Sequence, residues 1–199
     1  MSSNEDTKLH TLITQVMAFR VVLYLYLYLN TKLSPMLKIA LILIADDIKI
    51  VYIKARTQVY PGMLANNDYY QDLDKIVDNV GYGIASLIIQ QNHLFNANER
   101  AVIIGSWAFR MFGVLMYFKT KNRHYLVAFP DVFREFILIM WLFRNKTKIE
   151  AQLCLAAVIG KAIVEYQFHY QKAGIMNLWG VYCIYLYIVT LFVGNKLLS

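Results

Sequence analysis

Apolar runs separated by short polar connectors make up most of the chain, and each run suits a helix. The first, Thr11 to Asn30, carries Arg20 as its one charge. At about 1.5 Å per residue, a helix of that length covers roughly 30 Å of hydrocarbon. Its centre, Leu23 to Leu29, alternates Leu and Tyr with the period of a half-buried strand. Later runs do not alternate, which argues against a barrel and makes these tyrosines packing or interface groups. The second run, from Met36 to Ala45, meets Asp46-Asp47-Ile48-Lys49 before returning to Ile50-Val51-Tyr52-Ile53.

A polar connector, Lys54 to Gln71, holds a Pro61-Gly62 turn signal and an Asn66-Asn67-Asp68 cluster suited to capping the next helix. The third run spans Asp72 to Gln91, and the fourth, Ala101 to Phe118, contains Arg110. The fifth, Tyr125 to Phe143, is interrupted by Pro130-Asp131 and Arg134-Glu135. In the sixth, Ile149 to Phe168, Lys161 and Glu165 stand one turn apart, able to neutralise each other. The seventh, Gly174 to Val193, is almost wholly apolar. This pattern predicts an all-α, polytopic integral membrane bundle of six or seven transmembrane helices. It comprises a polar tail, residues 1–10, and a single helical domain, residues 11–199.

Composition agrees with a membrane location, since 58% of residues are apolar and 15% aromatic. A net charge of +7 would suit nucleic acid in a soluble protein. Here the Lys and Arg lie mainly in connectors, where lipid headgroups meet them, so no nucleic-acid partner is expected. Met1 to His10 lacks the basic region and cleavage site of a signal peptide, so the first run is expected to be retained as a span. Cys154 and Cys183 lie inside apolar runs without metal-site spacing. The four histidines are scattered singly, and no Gly-rich phosphate loop is present.

The carboxylates are the candidate chemistry. Asp46 and Asp47 fall roughly 15 Å into the second run, where each costs about 2.5 to 3.5 kcal/mol unless it faces a polar cavity or a partner. The plainer alternative is a local Asp-Lys pairing on a helix whose end reaches water. Asp74 and Asp78 share one helix face, so both can grip one cation or one substrate. Oxygen donors of this kind suit Mg²⁺ or Mn²⁺, which typically bridge protein carboxylates to substrate phosphates. Alternatively, Asp72, Asp74 and Asp78 decorate a solvated helix start, where acids favour the macrodipole.

Asp74-x-x-x-Asp78 opening a span, after an acidic second span, resembles the CDP-alcohol phosphatidyltransferase family. That family's signature is D-x-x-D-G-x-x-A-R followed by G-x-x-x-D-x-x-x-D, split across two successive spans. The resemblance implies a metal-dependent transferase of phospholipid synthesis, moving a phosphatidyl group from a CDP-linked lipid to a small alcohol. It implies Asp74 as a ligand of metal and nucleotide diphosphate, with Asp78 at the same metal and as the catalytic base. Anchoring on Ala55-Arg56 makes Arg56 a substrate contact but puts Val51-Tyr52 where the family has Asp-Gly. Asp46 and Asp47 are then the candidates for the missing metal ligands, so the site is either rebuilt or catalytically lost. Tyr70 replaces the glycine of the second half. Arg134-Glu135 and Gly160-Lys161 resemble pairs in the phosphatidylglycerophosphate synthase branch, which implies Arg134 and Lys161 as phosphate contacts.

Two other functions fit the same residues. One is a small transporter or proton and ion pathway using Asp46, Asp47, Asp131, Glu135 and Glu165 as inward carboxylates. The other is an inactive scaffold, a homodimer through faces lined by Gly81, Gly83, Gly105 and Gly113.

Overall fold

The computed structural model describes residues 3–57, 64, 67–143 and 147–169, and all regular structure among them is helical. Helix α1 spans Ser3–Leu29, α2 Pro35–Thr57, α3 Asp68–Gln91 and α4 Ala97–Thr120. Three further helices follow: α5 His124–Ala128, α6 Phe133–Leu142 and α7 Thr147–His169. The chain divides into two compact units, Met1–Trp107 and Ala108–Ser199, with the boundary inside α4. Helix α1 begins at Ser3, so the polar residues at the start of the chain continue the first apolar run as one helix.

Local sequence sets the helix starts. Asn67 caps α3, its side chain accepting from the Tyr70 backbone N–H at 2.8 Å. Helix α4 opens with a reciprocal box, in which the Asn96 N–H donates to Glu99 Oε2 at 2.7 Å and the Glu99 N–H to Asn96 Oδ1 at 2.9 Å.

In the first unit α1, α2 and α3 pack pairwise into a three-helix bundle. The stripe Leu9, Ile13, Val16, Met17, Arg20, Tyr24 and Leu27 of α1 is buried. It faces Ile39, Ile42, Ala45, Asp46, Lys49 and Ile53 of α2, and on α3 Tyr70, Val77, Gly81, Ala85 and Ile88. Spacings of three and four residues give each helix one buried seam. A Cβ on Gly81 would stand 2.8 Å from the Tyr24 ring, so this glycine lets the fully buried tyrosine lie flat on α3. On another face of α3, Gly83 abuts the Trp107 ring, whose Nε1 donates to the Asn79 carbonyl at 3.2 Å.

Charged side chains are buried within this apolar core while large apolar ones cover the outside. Arg20, Asp46, Lys49 and Lys75 are buried, while Phe19, Val22, Leu25, Leu29, Ile44, Ile48, Val51 and Leu87 are exposed. Phe19 is 66% accessible beside an Arg20 that is 2% accessible. Among the described residues, two helices are long and apolar enough to cross a membrane: α1 over Asp6–Leu29, and α4. Only 33% of each apolar window is buried within the protein.

In the second unit α5 and α6 pack on α7. The fifth apolar run does not form one crossing helix, which corrects the expectation of a span from Tyr125 to Phe143. Pro130 keeps Phe129 out of the helical region, at φ −120° and ψ 70°, and the run divides into α5 and α6. The ten residues of α6 reach only about 15 Å. The Pro61-Gly62 turn and the seventh run, Gly174 to Val193, lie outside the described residues.

The glycines give a direct test of packing. Gly81→Val should lower stability by about 1–3 kcal/mol, because the Tyr24 ring has no room to retreat. Gly105→Ala, with nothing within 4 Å of its Cβ position, should be neutral or gain up to about 1 kcal/mol. Thermal unfolding of both variants in detergent checks the contrast, and equal behaviour would refute the wedge.

Candidate functional site: a five-residue ion cluster

Three helices each deliver charge to one level of the first bundle. Arg20 on α1 and Lys49 on α2 are almost completely buried, with side chains 3% and 4% accessible. Asp46 comes from α2, and Asp74 and Asp78 from successive turns of α3. The i, i+4 spacing puts both α3 carboxylates on the face turned to α1 and α2. Arg20, Asp46 and Lys49 are buried in the seam, and Asp74 and Asp78 are partly buried at its edge.

The guanidinium spans all three carboxylates. Arg20 Nη2 donates to Asp78 Oδ1 at 2.7 Å and Asp46 Oδ1 at 3.0 Å, and Nη1 reaches Asp74 Oδ1 at 3.4 Å. Its Nε donates to the Tyr24 hydroxyl at 2.9 Å. The tyrosine that Gly81 admits therefore fixes the arginine's orientation. Lys49 Nζ donates to Asp46 Oδ1 and Asp74 Oδ1 and lies 3.4 Å from Asp78 Oδ1. Among the described contacts, three carboxyl groups face two side-chain cations, a formal excess of one acid.

One oxygen from each of Asp46, Asp74 and Asp78 lies within 4.8 Å of the others, a donor set suited to a hard divalent cation. Arg20 and Lys49 bind that same face of the cluster, so a divalent ion there enters in competition with two side-chain cations. The donors suit a hard divalent cation in chemistry, and the structure adds what such an ion would have to displace.

The structure thus brings together Asp46, Asp74 and Asp78. The Asp47 side chain lies outside the described residues. Arg56 is exposed in the last turn of α2, its guanidinium 5.5 Å from the Tyr52 ring centre. Arg134 and Lys161 belong to the second unit. There Lys161 Nζ is 3.3 Å from Glu135 Oε1, and Arg110 Nη2 donates to Glu165 Oε1 at 3.2 Å. Lys161 and Glu165 each have a partner on another helix, which the expected pairing along α7 did not include. Arg110 also donates to the carbonyls of Leu126 and Phe129, at 2.8 and 2.7 Å, tying α4 to the turn before Pro130.

The sequence pattern did not single out Arg20 and Lys49 as site residues. The available signal was Arg20 itself, the one charge on a long apolar run and in register with its buried stripe. The local Asp-Lys pairing does occur, between Asp46 and Lys49, but inside the bundle rather than at a water-facing end. No family model, curated protein or solved structure matches the chain.

The charge count predicts asymmetric mutational effects. Arg20→Met or Lys49→Met leaves three buried carboxylates against one cation and should cost on the order of 3–5 kcal/mol. Asp78→Asn leaves two acids against two bases and should cost much less. Unfolding midpoints in one detergent compare the three directly; equal losses would refute the excess-charge account.

Proposed function

We propose that the first unit is a membrane-embedded phosphatidyltransferase site, acting on a CDP-linked lipid and a small alcohol. The observation that carries this reading is the convergence of Asp46 from α2 with Asp74 and Asp78 from α3. The family signature that Asp74-x-x-x-Asp78 resembles likewise divides its carboxylates between two successive spans. The exposed apolar faces of α1, α2 and α3 support an integral membrane setting, where a lipid donor is at hand. The number of crossings in this proposal starts from α1 and α4, with the more polar α2 and α3 crossing beside α1.

In this reading Asp46, Asp74 and Asp78 hold a divalent ion, whose chemistry is to neutralise the donor diphosphate. Asp78 takes the proton of the incoming hydroxyl. The hydroxyl oxygen bonds to the phosphatidyl phosphorus, the phosphorus–oxygen bond to CMP breaks, and CMP leaves with that electron pair. Arg20 and Lys49 pair with the three carboxyl groups at rest, and exchange part of that pairing for donor phosphate oxygens. Tyr24 holds Arg20 in register throughout.

A second reading is favoured by the ion pairs themselves. A buried cluster with one excess negative charge, whose carboxylates are already paired with side-chain cations, suits a proton or monovalent-cation relay.

Purified protein in mixed micelles with CDP-diacylglycerol, Mn²⁺ and glycerol 3-phosphate, inositol or serine in turn separates the two. Transfer predicts CMP release with one alcohol, abolished by Asp78→Asn in a protein that remains folded. Absence of release from folded protein, together with pH-driven flux in liposomes that needs no CDP-lipid, would overturn transfer in favour of the relay.

A further inference from the structure

A single atom touches all three carboxyl groups of the cluster. Lys49 Nζ donates to Asp46 Oδ1 and Asp74 Oδ1 and lies 3.4 Å from Asp78 Oδ1. These are the three residues whose oxygens, within 4.8 Å of one another, make the donor set for a hard cation. An ammonium has three protons for three acceptors, and like a metal ion it concentrates its charge at a point. Arg20 meets the same residues differently. Its guanidinium divides them between Nη1 and Nη2, so neither terminal nitrogen contacts all three. It is also anchored outside the cluster, with Nε donating to the Tyr24 hydroxyl at 2.9 Å and Nη1 to Met17 Sδ at 3.5 Å. Among the described contacts, the hydrogen bonds of Lys49 go to the carboxyl groups alone, from the end of a flexible four-carbon stem. Formal charge points the same way. With Arg20 and Lys49 in place one acid is in excess, whereas Arg20 and a divalent ion in the place of Lys49 would leave none.

We propose that Lys49 is an internal competitor for the cation position of this cluster: its ammonium fills the place among Asp46, Asp74 and Asp78 that a divalent ion takes, and ion binding requires Lys49, but not Arg20, to leave. The inference rests on the proposed reading of the three carboxyl groups as ion ligands, and adds what controls their occupancy. The competitor is tethered to α2 three residues from Asp46, so it acts at a high effective concentration that dilution does not lower. Apparent affinity for the ion is reduced by the fraction of chains in which Lys49 has left. Lys49 thereby sets the ion concentration at which a network fastening three helices becomes an ion site. The ammonium it withdraws is then free to pair with a phosphate oxygen.

The test is Mn²⁺ binding by full-length protein in detergent micelles, without lipid donor, nucleotide or alcohol, read as the loss of the free-ion signal in electron paramagnetic resonance. Lys49→Met and Arg20→Met each remove one positive charge, so any gain from charge alone is common to both. Lys49→Met should bind Mn²⁺ on the order of tenfold or more tighter than either wild type or Arg20→Met. Adding Asp74→Asn to Lys49→Met should abolish that gain. Arg20→Gln replaces Arg20→Met if the latter does not fold. Because Lys49→Met loses stability, its unfolding midpoint is followed with and without Mn²⁺, and the ion should restore it by supplying the missing charge. Equal affinity in Lys49→Met and wild type, equal gains in the Lys49 and Arg20 variants, or a Lys49→Met protein that stays unfolded in excess Mn²⁺ would overturn the proposal. CMP release by wild type with no affinity gain in Lys49→Met would count against the competitor alone. An affinity gain without CMP release would count against transfer alone.

Discussion

The first unit depends on Arg20. One guanidinium reaches Asp46, Asp74 and Asp78, so a single side chain of α1 binds both other helices of the bundle at one level. In an apolar surround such a contact has no inexpensive substitute. An unpaired carboxylate there would bear the full desolvation penalty, while a satisfied network specifies one register of the three helices. Lys49 shares the load from α2, and the Tyr24 hydroxyl accepts from Arg20 Nε. Even Gly81 serves this contact, since a side chain there would push Tyr24 off α3 and the arginine with it.

The burial of these charges beneath exposed apolar side chains belongs to the same constraint. A bundle in water places apolar side chains inside and lets charge face out, because buried charge costs more than it returns. Here Arg20 and Lys49 are inside while Phe19, Val22 and Ile48 cover the outside. In hydrocarbon that preference would reverse, since hydrocarbon offers charged groups nothing and makes an internal partner their best environment. The apolar windows of α1 and α4, only 33% buried, carry the same message without reference to any particular residue.

Much of this was legible in the sequence, though unevenly. The helices followed from long apolar runs, and a cap from the Asn66-Asn67-Asp68 cluster, of which Asn67 is the residue that makes it. The i, i+4 spacing of Asp74 and Asp78 predicted a shared face, and the depth of Asp46 in its run predicted an inward position. Periodicity could not say which helices would meet, so it could not give Arg20 its three partners. The same limit applies in the second unit, where Lys161 and Glu165 looked self-sufficient along one helix and instead also engage Glu135 and Arg110. The fifth run was misleading for a different reason. Its apolar content continues across Pro130, but the backbone before a proline does not remain helical.

Lone charges on long apolar helices therefore have a common physical meaning here. Arg20 on α1 and Arg110 on α4 each stand in the middle of a run that could otherwise cross a membrane unaided. Each ends on a carboxylate of a later helix: Asp46, Asp74 and Asp78 for the first, Glu165 for the second. The difference lies in balance. Arg110 divides its protons between one carboxylate and two backbone carbonyls, an arrangement that fastens a turn. Arg20 and Lys49 face three carboxyl groups, and both residues also line a cavity between α1 and α2. An ion cluster that only fastened helices would gain nothing from the third carboxylate, whose excess charge must be maintained in a low-dielectric setting. That convergence of three carboxyl groups from two helices is the physical reason for proposing chemistry in the first unit rather than in the second.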